Sequence, residues 1–294
     1  MVDPSVSPAA DDLSQSGPAP VPAGAPAYAI GDVHGCLDEL RAALQAAGFT
    51  DADDRWLAGP ARLWFLGDLT DRGPNGVGVI ELVMSLQRQA AAAGGEVGCL
   101  LGNHELMLMT AHLNTGRRLR LLDAERAGDP HTVFRERWLG NGGKSADSVR
   151  IERHHLAWIA GLPALAMVGE YLLMHSDTLG YREYGDSVDE VNAAVGAVMG
   201  NTAGLDELDR LTHVLTKRFS FASDEGQTAR DFVHAFGGRQ LVHGHSPVPL
   251  LLNIEPSAVT GPLVYAGGYA VNLDTGVFLG GPCLITPLAS VASE

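Results

Sequence analysis

Short apolar runs recur along the chain, and each ends in a glycine followed by polar side chains. The runs are YAIGDVHG, RLWFLGDLTDRGP, GEVGCLLGNHE, ALAMVGEYLLMHSD and RQLVHGHSP. Continuous runs of Val, Leu, Ile and aromatic residues are typical of buried strands. The pattern therefore predicts buried strands that end in polar loops.

Helical patterns lie between the first three runs. In CLDELRAALQAAG, Leu37, Leu40 and Leu44 share one face, and Gly48 ends the pattern. The stretch GVGVIELVMSLQRQAAAAGG has the length of a second helix and ends at a glycine pair. Strands alternating with helices indicate an α/β domain, in which ligand sites lie in the loops after the strands.

The rest of the chain suggests one domain with additions. Residues 106–163 are mostly helical in pattern and predict a helical insertion lying over the site. A helix-prone stretch follows at 187–218, and LVYAGGYAVNLD and VFLGGPCLITPL suggest late strands. Residues 1–27 are rich in Pro, Ala and Ser and predict a disordered leader, so the domain is expected over 28–288.

Composition narrows the class of protein. The formal net charge of the 294 residues is −15, which argues against a nucleic-acid-binding surface but is compatible with a phosphorylated substrate held beside a cation. Three cysteines without CxxC spacing favour a reducing compartment. The start of the chain does not resemble a signal peptide, and no apolar run is long enough to span a bilayer. We therefore expect a cytoplasmic protein without membrane partners.

The polar loops supply many oxygen and nitrogen donors. They are Asp32, His34, Asp68, Asp71, Asn103, His104, Glu105, His175, Asp177, His243 and His245. A dinuclear metal site needs about five to seven such donors from separate strand ends. Mixed His, Asp and Asn ligation without thiolates suits Mn²⁺, Fe or Zn²⁺ in a hydrolytic role.

Each of these residues also has an alternative interpretation that needs no metal. Asp32 and His34 are compatible with an ordinary turn, and Asn103 with a turn residue. His175 could be a core histidine, and the segment from Asp68 to Arg72 a surface ion-pair turn. The order of the five motifs, all at strand ends, favours the metal site.

The motifs GDVHG, GDLTDRGP, GNHE, LLMHSD and GHSP, in this order, resemble the calcineurin-like metallophosphoesterase signature. More narrowly, they are similar to the phosphoprotein phosphatases and their bacterial relatives, which include diadenosine tetraphosphate hydrolases. The resemblance spans roughly Tyr28 to Leu250. It implies a four-layer αββα sandwich of two mixed sheets flanked by helices.

The resemblance also implies residue roles. Two divalent metals are expected, with Mn²⁺ preferred over Fe or Zn. The implied ligands are Asp32, His34 and Asp68 for one metal, and Asp68, Asn103, His175 and His245 for the other. His104 would protonate the leaving group, oriented by Asp71, while Arg72 would bind phosphate. A metal-bridging hydroxide would then attack phosphorus in line with the departing oxygen.

Several positions are less well defined by the resemblance. Arg218 is the expected second phosphate-binding arginine, with Arg230 as the alternative. His243 is expected to support its neighbours or to pack in the core, without binding metal. Asp177 stands where the family has a small residue, so it either adds charge near the second metal or caps a turn. The NGG at 141–143 either shapes a lid or forms a plain helix-capping turn.

Three functions are compatible with these features. The first is hydrolysis of phosphomonoesters, including phosphoserine or phosphothreonine in proteins. The presence of Asp71, followed directly by Arg72, favours it. The second is symmetrical dinucleoside tetraphosphate hydrolysis, supported by the prolines in DRGP and GHSP. The third is a catalytically inactive scaffold, which the complete ligand set disfavours.

Overall fold

Two β-sheets lie face to face in the computed structural model, which describes residues 22, 24–113, 130–201 and 204–288. The first sheet has the order β3-β2-β1-β9. Strands β1, β2 and β3 are parallel, and β9 is antiparallel to β1. The strands are β1 (Ala27–Ile30), β2 (Arg62–Phe65), β3 (Glu96–Cys99) and β9 (Thr286–Pro287).

The second sheet has the order β4-β5-β6-β8-β7. Strands β5, β6 and β8 are parallel, whereas β4 and β7 are antiparallel edge strands. The strands are β4 (Leu165–Val168), β5 (Tyr171–Met174), β6 (Gln240–His243), β7 (Leu263–Tyr265) and β8 (Ala270–Asn272). Both sheets are therefore mixed.

Two sequence predictions change in detail. The run ALAMVGEYLLM forms a hairpin of two strands, because Gly169 adopts a left-handed φ of 60° and reverses the chain. In the late run VFLGGPCLITPL, Val277–Leu279 forms a 3₁₀ turn, and only the last part forms a strand. The turn is framed by Gly276 and Gly280, both left-handed, which an extended strand could not accommodate.

Helices cover the sheets. Helix α2 packs on β3, while α7 and α9 pack on β4 and β6. The helices are α1 (Leu37–Ala46), α2 (Gly76–Ala92), α3 (Asn103–Leu113), α4 (Pro130–Gly140), α5 (Ser145–Arg150), α6 (Arg153–Ala160), α7 (Val188–Gly200), α8 (Leu205–Leu215), α9 (Gln227–Ala235) and α10 (Val248–Leu252). The helical middle of the chain is thus observed as α3 to α6, apart from residues 114–129, which lie outside the described residues.

The alternation of side chains along the strands explains the layers. Leu173 packs between the two sheets, whereas its neighbours Leu172 and Met174 join the cluster that contains the helices. Ala29 of β1 and Leu66, directly after β2, complete the inner layer. The four-layer sandwich of two mixed sheets and flanking helices is confirmed.

The sequence also predicts a disordered leader at the start of the chain and no membrane-spanning segment. Most of the predicted leader, residues 1–21 and 23, lies outside the described residues. Among the residues that the structure describes, no helix combines the length and apolar character needed to cross a membrane.

Candidate active site

The predicted site residues lie in the loops at the carboxyl ends of parallel strands from both sheets. The loops after β1, β2 and β3 meet those after β5 and β6. They bring together Asp32, His34, Asp68, Asp71, Arg72, Asn103, His104, His175 and His245. All of these except Arg72 are at most 2% exposed. These residues, which lie far apart in the sequence, therefore form one buried polar cluster.

The first group of donors surrounds His34. Its Nε2 lies 3.6 Å from Asp32 Oδ2 and 3.6 Å from Asp68 Oδ2. Among the described residues, no hydrogen-bond donor reaches either carboxylate oxygen. Two buried carboxyl oxygens that share a site with an imidazole nitrogen are ligand atoms suited to a divalent cation.

The second group surrounds His175. Its Nε2 lies 2.9 Å from Asn103 Oδ1 and 3.3 Å from Asp68 Oδ1. His245 also faces this group, and its Nδ1 has no hydrogen-bond partner among the described residues. Asp68 thus directs one oxygen to each group, as a carboxylate shared between two metals would.

Backbone carbonyls determine which nitrogen of each histidine faces the site. Each of these three rings has one nitrogen near a carbonyl oxygen, which can only accept, so that nitrogen carries the proton. The pairs are His34 Nδ1 with Thr70 at 2.9 Å, His175 Nδ1 with Leu66 at 2.8 Å, and His245 Nε2 with Thr216 at 3.2 Å. Burial lowers the pKa of all three imidazoles. The opposite nitrogens are therefore free to bind a metal, the usual arrangement of metal-binding histidines.

Negative charge accumulates in the same place. Burial, together with the charges of Asp274 and Asp68, raises the pKa of Asp32 well above its ordinary value. Burial likewise raises the pKa of Asp274 to about 7, and Asp68 contributes to the increase. A bound cation would offset this repulsion, so the donor set fits the divalent metals that the sequence predicts.

His104 differs from the other histidines because a carboxylate takes the place of the carbonyl. Its Nδ1 lies 2.7 Å from Asp71 Oδ2. Burial alone would lower the pKa of His104, but Asp68 and Asp71 outweigh it and raise the pKa. His104 Nε2 lies 3.9 Å from Asp68 Oδ2, at the edge of the first group. A protonated imidazole at this position suits proton transfer.

The Arg72 guanidinium lies across the first group. Its Nη1 donates to His34 Nε2 at 2.7 Å, and its Nη2 lies 3.2 Å from His104 Nε2. The guanidinium carbon lies 4.4 Å from the centre of the Phe278 ring. Because the lone pair of His34 Nε2 serves either this hydrogen bond or a metal, the two are mutually exclusive.

Of the two candidates for the second arginine, the structure favours Arg218. Burial lowers the pKa of His175 and His245, and the charge of Arg218 lowers both further. Arg218 is half-buried, in the loop after α8. Arg230, by contrast, lies exposed on α9, with its Nε 3.8 Å from Asp231.

Asp177 holds the loop that carries Arg218. Its Oδ2 accepts from Phe219 N at 2.7 Å, and its Oδ1 accepts from Ser246 Oγ at 3.2 Å. Phe219 has a left-handed φ of 67°, a strained conformation for a bulky residue. Of the two roles expected for Asp177, these contacts favour capping a turn.

His243 is the last residue of β6, directly before the loop that carries His245. Its Nε2 accepts from Tyr265 Oη at 2.8 Å, and its Nδ1 lies 2.8 Å from Gly244 O. Both ring nitrogens are thus occupied by protein groups. This placement agrees with the expectation that His243 supports its neighbours.

The GDVHG segment reaches the site by a turn. A strand end would aim Asp32 and His34 to one side, but β1 stops at Ile30 and His34 has a left-handed φ of 47°. Val33 N and His34 N both donate to Asp68 O, at 3.1 and 2.9 Å, which fixes the turn. The side chains therefore converge through backbone hydrogen bonds and without strand alternation.

Glu105 is a buried carboxylate to which sequence reasoning gave no role. Its oxygens accept five hydrogen bonds, which come from Asp68 N, Leu69 N, Thr70 N, Thr70 Oγ1 and Gly102 N, at 2.8 to 3.2 Å. They hold a turn in which Asp68, Asp71 and Arg72 have φ values of 51°, 69° and 61°. Such strained residues persist only where the surroundings fix them.

Sequence reasoning also missed Asp274 and Trp138. Asp274 follows β8 after an apolar run, so the same strand-end pattern could have identified it. Trp138 donates its indole N–H to Asp71 Oδ1 at 2.7 Å. Nothing in the sequence pairs these two residues, which are 67 positions apart.

Comparison with known proteins agrees with this geometry. Residues 25–249 match the family model for calcineurin-like phosphoesterases. The chain belongs to this family. The match confirms the prediction of a metallophosphoesterase, and therefore of a hydrolase, and the family implies divalent metal ions.

Individual relatives match only in part. Shewanella-like protein phosphatase 2 of Arabidopsis thaliana is 40% identical over 79 residues, which are 27% of this chain and 20% of that protein. The symmetrical bis(5'-nucleosyl)-tetraphosphatase of Cronobacter sakazakii is 42% identical over 90 residues, 31% of this chain and 27% of that protein. The matched segments therefore span less than a third of these relatives.

Solved structures share the fold over most of the chain. The crystal structure of a cold-active protein-tyrosine phosphatase from a psychrophilic Shewanella species has a TM-score of 0.63 and 20% identity. The alignment covers 90% of this chain and 76% of that one. At this identity the similarity establishes the fold alone.

Proposed function

We propose that the protein is a metal-dependent phosphatase that hydrolyses phosphomonoesters. The observation that carries the proposal is the pair of His104 and Asp71, 2.7 Å apart, beside two groups of converging ligand atoms. A histidine bonded to a buried carboxylate is suited to protonate a poor leaving group. Phosphomonoesters of serine, threonine and tyrosine have such leaving groups.

Six residues would hold two metals. Asp32, His34 and Asp68 would bind one ion, and Asp68 would bind a second together with Asn103, His175 and His245. Mn²⁺ is the preferred metal, because it accepts imidazole, carboxylate and amide ligands together. When bound, the two ions would supply Lewis acidity, both for activating water and for stabilising charge on the phosphoryl oxygens.

The remaining residues act on the substrate. Arg72 and Arg218 would bind the phosphoryl oxygens, where charge develops during the reaction. As the bond from phosphorus to the leaving oxygen breaks, that oxygen takes the Nε2 proton of His104. The Nδ1 proton stays in the hydrogen bond to Asp71, which keeps the ring oriented.

A second candidate function is hydrolysis of symmetrical dinucleoside tetraphosphates. The similarity to the Cronobacter tetraphosphatase supports it, at 42% identity over 90 residues. The leaving group in that reaction is a nucleoside diphosphate. Its phosphate oxygen is weakly basic, so it departs readily without a general acid. The buried pair of Asp71 and His104 therefore favours the phosphomonoesterase.

The test measures metal-dependent turnover with a series of leaving groups. With Mn²⁺ we expect hydrolysis of 4-nitrophenyl phosphate, phenyl phosphate and phosphopeptides, at higher rates than diadenosine tetraphosphate. His104→Asn should retain its metal content but lose about 10²–10⁴-fold in kcat on phenyl phosphate, and less on 4-nitrophenyl phosphate. A uniform loss across leaving groups would contradict the role of His104, and faster tetraphosphate hydrolysis would favour the second function.

A further inference from the structure

Trp138, on helix α4, bonds through its side chain directly to the carboxylate of the Asp71 and His104 pair. The indole N–H donates to Asp71 Oδ1 at 2.7 Å, while Asp71 Oδ2 contacts His104 Nδ1 at the same distance. Trp138 is 1% exposed and Asp71 is fully buried. Each oxygen of the carboxylate therefore has its own partner, from a different part of the chain.

The segment after α4 fixes this contact from a second side. Gly142 O accepts from Arg72 N at 2.8 Å, so the NGG segment is bonded to the residue next to Asp71. A Cβ at Gly142, where φ is 100°, would lie 2.8 Å from Arg72 Cγ. A Cβ at Gly143 would collide with the Trp138 indole. The helical insertion thus packs on the Asp71 turn through both side-chain and backbone contacts.

We propose that Trp138 is a positioning residue for proton transfer, acting through Asp71 on His104. The proposal rests on the proposed function, in which His104 protonates the leaving group. By occupying Oδ1, Trp138 fixes the rotation of the Asp71 carboxylate and leaves Oδ2 to orient the His104 ring. The insertion thereby contributes to catalysis without contacting the substrate.

Loss of the hydrogen bond from Trp138 to Asp71 is expected to have a large effect on activity, because its acceptor is a buried carboxylate. Burial raises the pKa of Asp71, and the hydrogen bonds from His104 and Trp138 oppose the increase. Without the indole N–H, Oδ1 would be a buried acceptor with one partner fewer, in a site that excludes water. Unpaired buried oxygens are costly, so the carboxylate would turn toward other donors and release the imidazole.

The experiment uses Trp138→Phe, which keeps an aromatic ring in the core and removes only the N–H donor. On phenyl phosphate we expect kcat to fall about 10- to 100-fold, as for loss of a hydrogen bond to a charged group. On 2,4-dinitrophenyl phosphate, which needs no general acid, the loss should be less than about threefold. KM and bound metal should stay unchanged.

Trp158→Phe is the matched control. The Trp158 indole donates to Gln87 Oε1 at 2.8 Å, a bond of similar length outside the catalytic cluster. Its loss should leave kcat unchanged on every substrate. A loss of kcat in Trp138→Phe that is equal for all leaving groups, or no loss at all, would overturn the proposal.

A spectroscopic measurement covers the case in which Trp138→Phe does not fold. The chain has four tryptophans, so variants of the other three assign the Trp138 indole N–H by elimination in NMR spectra of the protein loaded with diamagnetic Zn²⁺. We expect this proton to exchange slowly and to shift in Asp71→Asn. An indole signal that is insensitive to Asp71→Asn would contradict the proposal.

The two proposals can fail separately. If His104→Asn shows the leaving-group dependence and Trp138→Phe does not, only the role of Trp138 is wrong. If His104→Asn loses activity equally on all substrates, the proposed function of His104 itself is wrong.

Discussion

In the first-sheet half of the site, five hydrogen bonds converge on the single carboxylate of Glu105, whereas the second-sheet half is held by separate side chains. There, Asp177 holds the Arg218 loop, and Tyr265 bonds to His243. The first half carries Asp68, which faces both ligand groups. The second half carries the loop of Arg218, the proposed second phosphate-binding arginine.

The two halves are held in different ways because they hold different kinds of backbone. A turn with several left-handed residues needs an acceptor that satisfies many backbone amides at once, and only a buried carboxylate offers that capacity. In the second half, the left-handed residues Phe219 and His245 lie in separate loops, and the contacts are distributed over several side chains. We therefore expect loss of Glu105 to abolish the site, and loss of Asp177 to adjust substrate binding.

The largest expected effect comes from Glu105→Gln. The amide places two N–H donors where the carboxylate accepts from Asp68 N and Gly102 N. We expect the free energy of unfolding to fall by about 2–4 kcal/mol, with loss of bound metal and activity. Chemical denaturation and elemental analysis measure both.

Glu96→Gln is the matched control. Glu96 pairs with Arg62 at 2.6 Å on the partly exposed edge of the first sheet. Its loss should cost less than about 1 kcal/mol and leave the metal content unchanged. Equal effects of the two variants would show that Glu105 has no special role in the first half.

A smaller effect is expected from Asp177→Ala, which releases Phe219 N and with it the loop of Arg218. KM for phenyl phosphate should rise about tenfold, while kcat changes less, because the arginine proposed to bind phosphate loses its fixed position. Asp177→Asn should restore part of the effect, since its amide oxygen can accept from Phe219 N.

A double-mutant cycle with Arg218→Ala tests whether Asp177 acts through that arginine. In the Arg218→Ala background, Asp177→Ala should raise KM no further. Additive effects of the two substitutions would break the link between Asp177 and the arginine loop.

The sequence predicts the first half of the site better than the second, for a physical reason. The first three motifs each follow a parallel strand and precede a helix, so their loops must meet at one sheet edge. The later part of the chain contains a hairpin and a 3₁₀ turn where continuous strands were expected, because glycines reverse the chain there. Apolar runs in the sequence therefore predict the strands of the later part less accurately than those of the first part.

Contacts between distant segments lie beyond the sequence pattern altogether. Asp71 and Trp138 meet because helix α4 and the segment after it contact the loop that follows β2, which no periodicity encodes. Glu105 is visible in the GNHE motif, yet its four backbone hydrogen bonds depend on the left-handed turn. Asp274 is the exception, since it follows a buried strand like the other donors.

The smallest expected effect is a pH dependence of stability that has one contribution from each half. Burial raises the pKa of Glu105 in the first half and of Asp274 in the second, each to about 7. Both values exceed those of the unfolded chain, so the folded protein binds more protons than the unfolded chain between about pH 4 and 7. For these groups the free energy of unfolding falls as the pH rises through that range.

The metal-stripped protein should therefore become more stable as the pH is lowered from about 8 to 6.5. Below that, the buried neutral histidines, whose lowered pKa values give the opposite sign, should reverse the trend. Asp274→Asn and Glu105→Gln should each remove part of the slope in urea denaturation, and bound Mn²⁺ should flatten it by offsetting the carboxylate charges. A slope that only Glu105→Gln changes would assign the excess charge to the first half of the site alone.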